Sequence, residues 1–343
     1  MRAIGYTTPG PIADEHALAD IDLPRPTPAG RDLLVEIKAV SVNPVDAKVR
    51  AGVRPDGDGW KVLGWDAAGI VVETGPEASL FKPGDHVFYA GALTRPGANA
   101  ELHLVDERIV GRKPASLGWA DAAALPLTSI TAWEALFDRL DVKGRAVPGA
   151  APAILIIGGA GGVGSIAIQL ARALTDLTVI ATASRPETKA WATELGAHHV
   201  VDHARPLARQ IEALGLGAPG FVFSTTSTES HLAEIVELIA PQGRFALIDD
   251  PATLDVAPFK RKSVSTHWEF MFTRSLFATV DLAEQGALLD TVSRLVDEGA
   301  IRSTRTETLR PINAATLRRA HALIESGSVR GKITLEGFEA PNG

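Results

Sequence analysis

The sequence contains no cysteine. That excludes a disulfide framework and any metal site built on thiolates. It also lacks an excess of positive charge: 34 Lys and Arg stand against 41 Asp and Glu, a formal net charge of −7. Such a balance argues against nucleic acid or an anionic membrane as partner. No long hydrophobic run survives inspection either. The stretch 146–171 carries no charge, but six glycines and two prolines interrupt it, so it is not read as a membrane span. The opening MRAIGYTTPG has no apolar core of the signal-peptide kind, and a cytoplasmic location is expected. Internal repeats and low-complexity tracts are missing as well.

What is present is an ordinary soluble composition, 45% hydrophobic and 22% charged, on a chain of 343 residues, enough for two domains with separate cores. The organising stretch is AILIIGGAGGVGSIAIQLAR, 153–172. Its apolar beginning, 153–157, reads as a buried parallel strand, and Val163 to Leu174 continues at helical spacing. Between them, Gly159, Ala160, Gly161, Gly162, Val163 and Gly164 satisfy G-x-G-x-x-G. In that context Gly159 permits a sharp turn, Gly161 permits close approach of a pyrophosphate, and Gly164 lets the helix lie against the strand. The helix start adds free N–H groups and a positive dipole end for phosphate.

Before residue 127 the chain reads as short strands and Pro/Gly turns, with strands at 33–40, 67–75 and 87–89, a pattern suggesting a small barrel-like β domain. After a helix at 128–140, strands near 178–182, 199–201, 221–224 and 244–248 alternate with helices near 187–195, 207–214 and 229–239. That alternation implies a doubly wound parallel sheet, with 263–272 as its last strand. Helices at 281–298 and 314–326 and a strand at 331–335 complete the pattern.

With AVSVNPVDAKVR (39–50), LGWDAAGIV (63–71), KPGDHV (82–87), LPLTSITAWEAL (125–136), IGGAGGVGS (157–165) and HALIESGSVRGKITLEGF (321–338), the chain resembles the medium-chain dehydrogenase/reductase superfamily over essentially its full length. Within it, the sequence is similar to the zinc-independent quinone oxidoreductases and to the bacterial "zinc-type alcohol dehydrogenase-like" group. The resemblance implies an α/β fold: a GroES-like catalytic domain (1–127, with 276–343 returning to it), a Rossmann domain (128–275), and an active site in the cleft between them. It also implies a homodimer joined along 263–272. The nucleotide is expected against Thr131, Gly159, Gly161, Gly162, Val163, Gly164, Ser184, Arg185, Lys189, His203, Thr225, Ile248, Phe270 and Phe272.

Zinc alcohol dehydrogenases hold their catalytic metal with Cys, His and Cys, and those positions fall here on Asn43, Trp65 and roughly Leu127, with Asp66 at the neighbouring carboxylate. An amide, an indole and an aliphatic chain cannot build a tetrahedral zinc site, so no metal is expected. Without a Lewis acid for an alkoxide, hydride transfer to a quinone or an α,β-unsaturated carbonyl is favoured. A metal-free carbonyl or alcohol oxidoreductase, and a non-catalytic NADPH-binding sensor, are the alternatives. Asn43 is expected to donate to the substrate oxygen, with Asp46 and Lys48 shaping the mouth; Asp46 can equally be a helix cap. Trp65 and Trp268 are either pocket walls or core.

The cofactor is expected to be NADPH. An NAD-preferring Rossmann domain ends its second strand with an acid, whereas this one ends in Ala183, Ser184 and Arg185, with Lys189 a turn later. His203 is either a phosphate contact or a surface histidine. His198 and His199 are adjacent in a strand and cannot share an ion, while His103, His231, His267 and His321 are read as structural. Asp249 and Asp250 read as a turn, and Lys260 to Lys262 as a solvated charge run.

Overall fold

Strands that read as continuous apolar runs are strands covered on both faces, and the second half of the chain obeys this. In the computed structural model, which describes residues 1–55 and 59–338, Ala151–Ile157 lies at the centre of a six-stranded, fully parallel sheet. Thr178–Thr182 and His199–Val201 extend it on one side. Pro219–Ser224, Arg244–Leu247 and Ser265–Trp268 extend it on the other. The order reverses direction beside the central strand, so the glycine turn after Ile157 sits at the topological switch point of a doubly wound fold. Leu155, Ile157, Val222, Phe245 and Leu247 are buried together with Ile235 and Phe259 from the covering segments. This unit comprises Thr131–Met271.

The other unit joins Met1–Ile130 to the segment from Phe272 onward. Both limits lie a few residues from the expected 127/128 and 275/276. Its backbone is the long strand Asp32–Ser41, which pairs with Ala67–Thr74 along one edge and with Leu102–Asp106 and Lys332–Glu336 elsewhere. Arg305–Leu309 then adds in parallel to Lys332–Glu336. The carboxyl-terminal segment therefore completes the sheet of this unit.

Three expectations need correction. The strand foreseen over 263–272 is only Ser265–Trp268, because Ser263 adopts a left-handed conformation (φ +50°) that no strand can contain. The helix foreseen over 128–140 starts at Pro126 and widens into a π-helical turn from Glu134 to Arg139. Lys260 to Lys262 is not merely a solvated run: Lys262 Nζ donates to the carbonyls of Glu237 (2.7 Å) and Ile239 (2.8 Å), closing the end of the helix Thr228–Leu238. Among the described residues, no helix is long and apolar enough to cross a membrane.

Candidate active site

In the first unit the chemistry gathers where the strand Asp32–Ser41 ends. Asn43 is extended (φ −127°, ψ 160°), as the following Pro44 requires, and the helix Pro44–Gly52 starts immediately after it. Asp46, in the first turn of that helix, accepts from Asn43 N–H at 2.8 Å and from Gly64 N–H at 3.0 Å. The capping role is thus present, and both carboxylate oxygens are spent on backbone. Burial, against the pull of the Asn43 N–H and of Lys332, raises its pKa to about 7. Lys48 lies exposed on the same helix.

Asn43 is buried, and its side chain is engaged in both directions. Its Nδ2 donates to Asp66 Oδ2 (2.9 Å) and, at the long distance of 3.4 Å, to the Ser41 carbonyl. Its Oδ1 accepts from Lys332. The Lys332 ammonium also donates to Asp66 Oδ2 and to the Val42 carbonyl, each at 3.0 Å. Asp66 Oδ1 takes the Leu127 N–H at 2.7 Å, and the side chains of Asp66 and Lys332 are both almost wholly buried. Burial pushes the Asp66 carboxyl above its ordinary range, opposed chiefly by the Lys332 charge. Only this orientation of the Asn43 amide gives the ammonium an acceptor and the carboxylate a donor.

Lys332 was not among the residues singled out by sequence. It is 289 positions from Asn43 and arrives through strand pairing, since Val42 N–H bonds to the Ile333 carbonyl. The one available signal was a lysine directly before Ile333, Thr334 and Leu335 in a strand, a position where burial demands a partner. Trp65 is buried as well. Its Nε1 donates to the Ala92 carbonyl at 3.2 Å, and its ring meets Phe272 edge to face at 6.3 Å. Phe272, expected at the nucleotide, thus lies buried against Trp65 in the first unit.

In the second unit the glycine turn has the geometry of an anion cradle, with one reassignment. The left-handed residue is Gly158 (φ +81°), not Gly159. A Cβ on Gly159 would fall 2.8 Å from that of Ala181, and one on Gly164 would fall 2.2 Å from the Gly158 carbonyl oxygen. Gly159 and Gly164 are therefore required by close approach of strand and helix. Gly161 is extended and precedes the helix Gly162–Leu174, whose first turn includes Val163. Thr182 Oγ1 accepts from Gly158 N–H (3.0 Å) and pairs with His203 Nδ1 (3.2 Å), tying that histidine to the turn. Burial holds His203 below its usual pKa.

Beyond the second strand, Ser184 is half-buried and Arg185 exposed. Arg185 pairs with Glu187 (3.1 Å), and Lys189 with Asp202 (3.2 Å). Thr225 Oγ1 donates to the Ile157 carbonyl, Ile248 is half-buried, Thr131 is buried, and Phe270 is exposed. Asp249, read as a turn residue, accepts from Thr228 N–H at 2.8 Å and so caps the helix Thr228–Leu238.

A family model described as "Alcohol dehydrogenase GroES-like domain" matches residues 29–124, and one described as "Zinc-binding dehydrogenase" matches 162–284. The zinc-type alcohol dehydrogenase-like protein SAS2087 of Staphylococcus aureus is 36% identical over 336 residues, covering 98% of this chain and 99% of its own. The chain belongs to the medium-chain dehydrogenase/reductase superfamily. A solved structure from Rhizobium etli CFN 42, provisionally named a zinc-dependent alcohol dehydrogenase, superposes with a TM-score of 0.98 at 68% identity, covering 99% of each chain. The Escherichia coli quinone oxidoreductase complexed with NADPH shares the fold, with a TM-score of 0.79 at 21% identity, covering 98% of this chain and all of its own. As a member of this superfamily the protein is an oxidoreductase.

The family name implies zinc, and the residues here do not fit it. A metal ligand must present a lone pair. At these positions Trp65 presents an N–H already given to Ala92, Leu127 offers only an aliphatic side chain while its backbone N–H is given to Asp66, and the Asn43 oxygen is taken by an ammonium. Among the described residues, no three or more His, Cys, Asp or Glu side chains converge as a metal site.

Proposed function

We propose that the protein transfers hydride from NADPH to a quinone or an α,β-unsaturated carbonyl, without a metal. The observation that carries this reading is the closed Lys332–Asp66–Asn43 network at positions where zinc relatives hold their metal. A site of hydrogen-bond donors cannot match a Lewis acid at an unactivated alcohol, but it suits an oxygen whose new charge is delocalised. The Asn43 hydrogen held at 3.4 Å by Ser41 is the weakest bond in the network. It is the one an acceptor oxygen could take over. The glycine turn supplies the phosphate cradle, and the Escherichia coli quinone oxidoreductase, which shares this fold, is a complex with NADPH.

Preference for the 2′-phosphate rests on the strand end that has Ala183, Ser184 and Arg185 where an acid would favour NADH. The ion pair of Arg185 with Glu187 is exposed and that of Lys189 with Asp202 half-buried; neither is sealed from solvent, so each contributes little, and a phosphate can exchange for the carboxylates. Arg185→Ala should raise KM for NADPH and leave NADH nearly unchanged; equal loss with both would remove the argument.

The decisive assay follows NADPH oxidation against a panel of quinones and enones before and after dialysis against a strong chelator. Turnover of one class, unchanged by the chelator, is expected. Turnover that requires a stoichiometric zinc would overturn the metal-free reading. Nucleotide binding with no acceptor reduced would instead favour a non-catalytic sensor.

A further inference from the structure

We propose that Lys332 is the resident cation of the first unit's site and a positioning residue that acts through Asn43, an inference that rests on the reading of Asn43 given above. The ammonium has three hydrogens and three acceptors: the Val42 carbonyl, Asn43 Oδ1 and Asp66 Oδ2. It is fully spent and almost fully buried, so it cannot itself touch a substrate. What it can do is hold and polarise the amide. Lys332, Asn43 and Asp66 bond pairwise in a closed triangle. Withdrawal of electron density at Oδ1 strengthens both Nδ2 hydrogens as donors. One of these goes to Asp66, which fixes the amide plane; the other is the loosely held hydrogen beside Ser41.

The arrangement also explains why the Asp66 carboxylate is tolerable where the ligands of a metal have gone. Its charge has a partner that the chain itself brings, on the strand Lys332–Glu336, locked to Ser41 and Val42 by the Ser41 Oγ to Ile333 carbonyl bond (2.9 Å) and by the Val42 N–H. An oxygen triad at ammonium distance is a cation site, and removing the lysine side chain leaves that triad without its cation.

Lys332→Ala tests this by chemical rescue. The variant should unfold at lower temperature than the wild type. Its kcat with NADPH and a reducible quinone should fall on the order of tenfold or more, with KM for NADPH unchanged. Propylammonium chloride, which replaces the deleted atoms, should restore both the unfolding temperature and kcat. Tetramethylammonium chloride, a cation with no N–H to donate, should restore neither. An unchanged kcat in the variant overturns the proposal, as does propylammonium restoring the unfolding temperature while kcat stays low, because a purely structural lysine would do that. Should Lys332→Ala not fold, the double variant Lys332→Met with Asp66→Asn removes both charges together; wild-type kcat in it overturns the proposal, and reduced kcat at unchanged KM supports it. If the wild type reduces no acceptor, the reading of Asn43 fails separately. The cation site is then decided by whether propylammonium, and not tetramethylammonium, raises the unfolding temperature of Lys332→Ala.

Discussion

Asn43 carries more of the first unit's order than its place in a turn suggests. Replacing it by Ala deprives Lys332 of one acceptor and Asp66 of one donor, all of them buried. Leaving such groups unpaired costs on the order of 1–3 kcal/mol. Asn43→Ala should therefore lower the melting temperature by several degrees as well as slow turnover, and differential scanning calorimetry beside steady-state kinetics checks both. A variant with wild-type stability would mean that water replaces the amide in the network. The sequence made Asn43 and Asp66 conspicuous through the NPVD and LGWD motifs. It concealed how they are joined, because the joining residue comes from a strand paired across most of the chain. For the same reason Asn43 reads from sequence as a free donor, while folding occupies its amide.

At the scale of elements, the π-helical turn Glu134–Arg139 and the end of the edge strand share a buried acid pair. Glu134 and Glu269 are nearly inaccessible, and Arg139 Nε donates to Glu269 Oε2 at 2.8 Å. Burial first, then the neighbouring Glu134 charge, raises the Glu269 carboxyl to about 9 from an ordinary 4.5. A raised carboxyl pKa favours the protonated folded chain, so this stabilisation is complete below about 4.5 and is lost as pH rises toward 9. Asp46, raised to about 7 from 3.8, has the same sign over a narrower window. Glu269→Gln keeps an acceptor for Arg139 and has no proton to lose. Its melting temperature should fall less steeply than that of the wild type between about pH 5 and 9, with Asp46 and Asp66, both raised by burial, contributing to the residual slope. Parallel melting curves would show that Glu269 does not titrate differently on folding. Elements with one strong period, such as Thr178–Thr182 and Gly162–Leu174, were legible in the sequence almost to the residue. The edge strand was overextended, because its apolar residues continue past the point where pairing stops. Arg305–Leu309 was missed: its alternation of charged and hydroxylic residues becomes a strand only beside Lys332–Glu336.

At the scale of the molecule, the parallel sheet ends in Ser265–Trp268, with no strand beyond it among the described residues and with Trp268 and Phe270 about half exposed (54% and 48%). An open edge flanked by half-exposed aromatics is a surface that invites pairing. Association of two copies along this edge is the expected quaternary state, as the family resemblance implied. Sedimentation equilibrium should give twice the chain mass, and Trp268→Lys should shift the balance toward the single chain. A monomer at every concentration would reject the dimer.

The two units also differ in how much of the chain each must wait for. Thr131–Met271 is one uninterrupted segment whose parallel strands all find their neighbours within it, whereas the first unit is built from segments on either side of it. On a ribosome, the nucleotide-binding unit can close once its own residues have emerged. The β unit cannot, because Asp66 has no counter-charge and the strand Asp32–Ser41 lacks one of its partners until Lys332–Glu336 is synthesised. Pairing across so great a sequence separation carries a large loop-closure entropy, so its formation should be the slow phase of refolding. The hydrogen bonds of Lys332 would then be made late, and the first unit's site would be assembled only after the segments that precede this strand are in place.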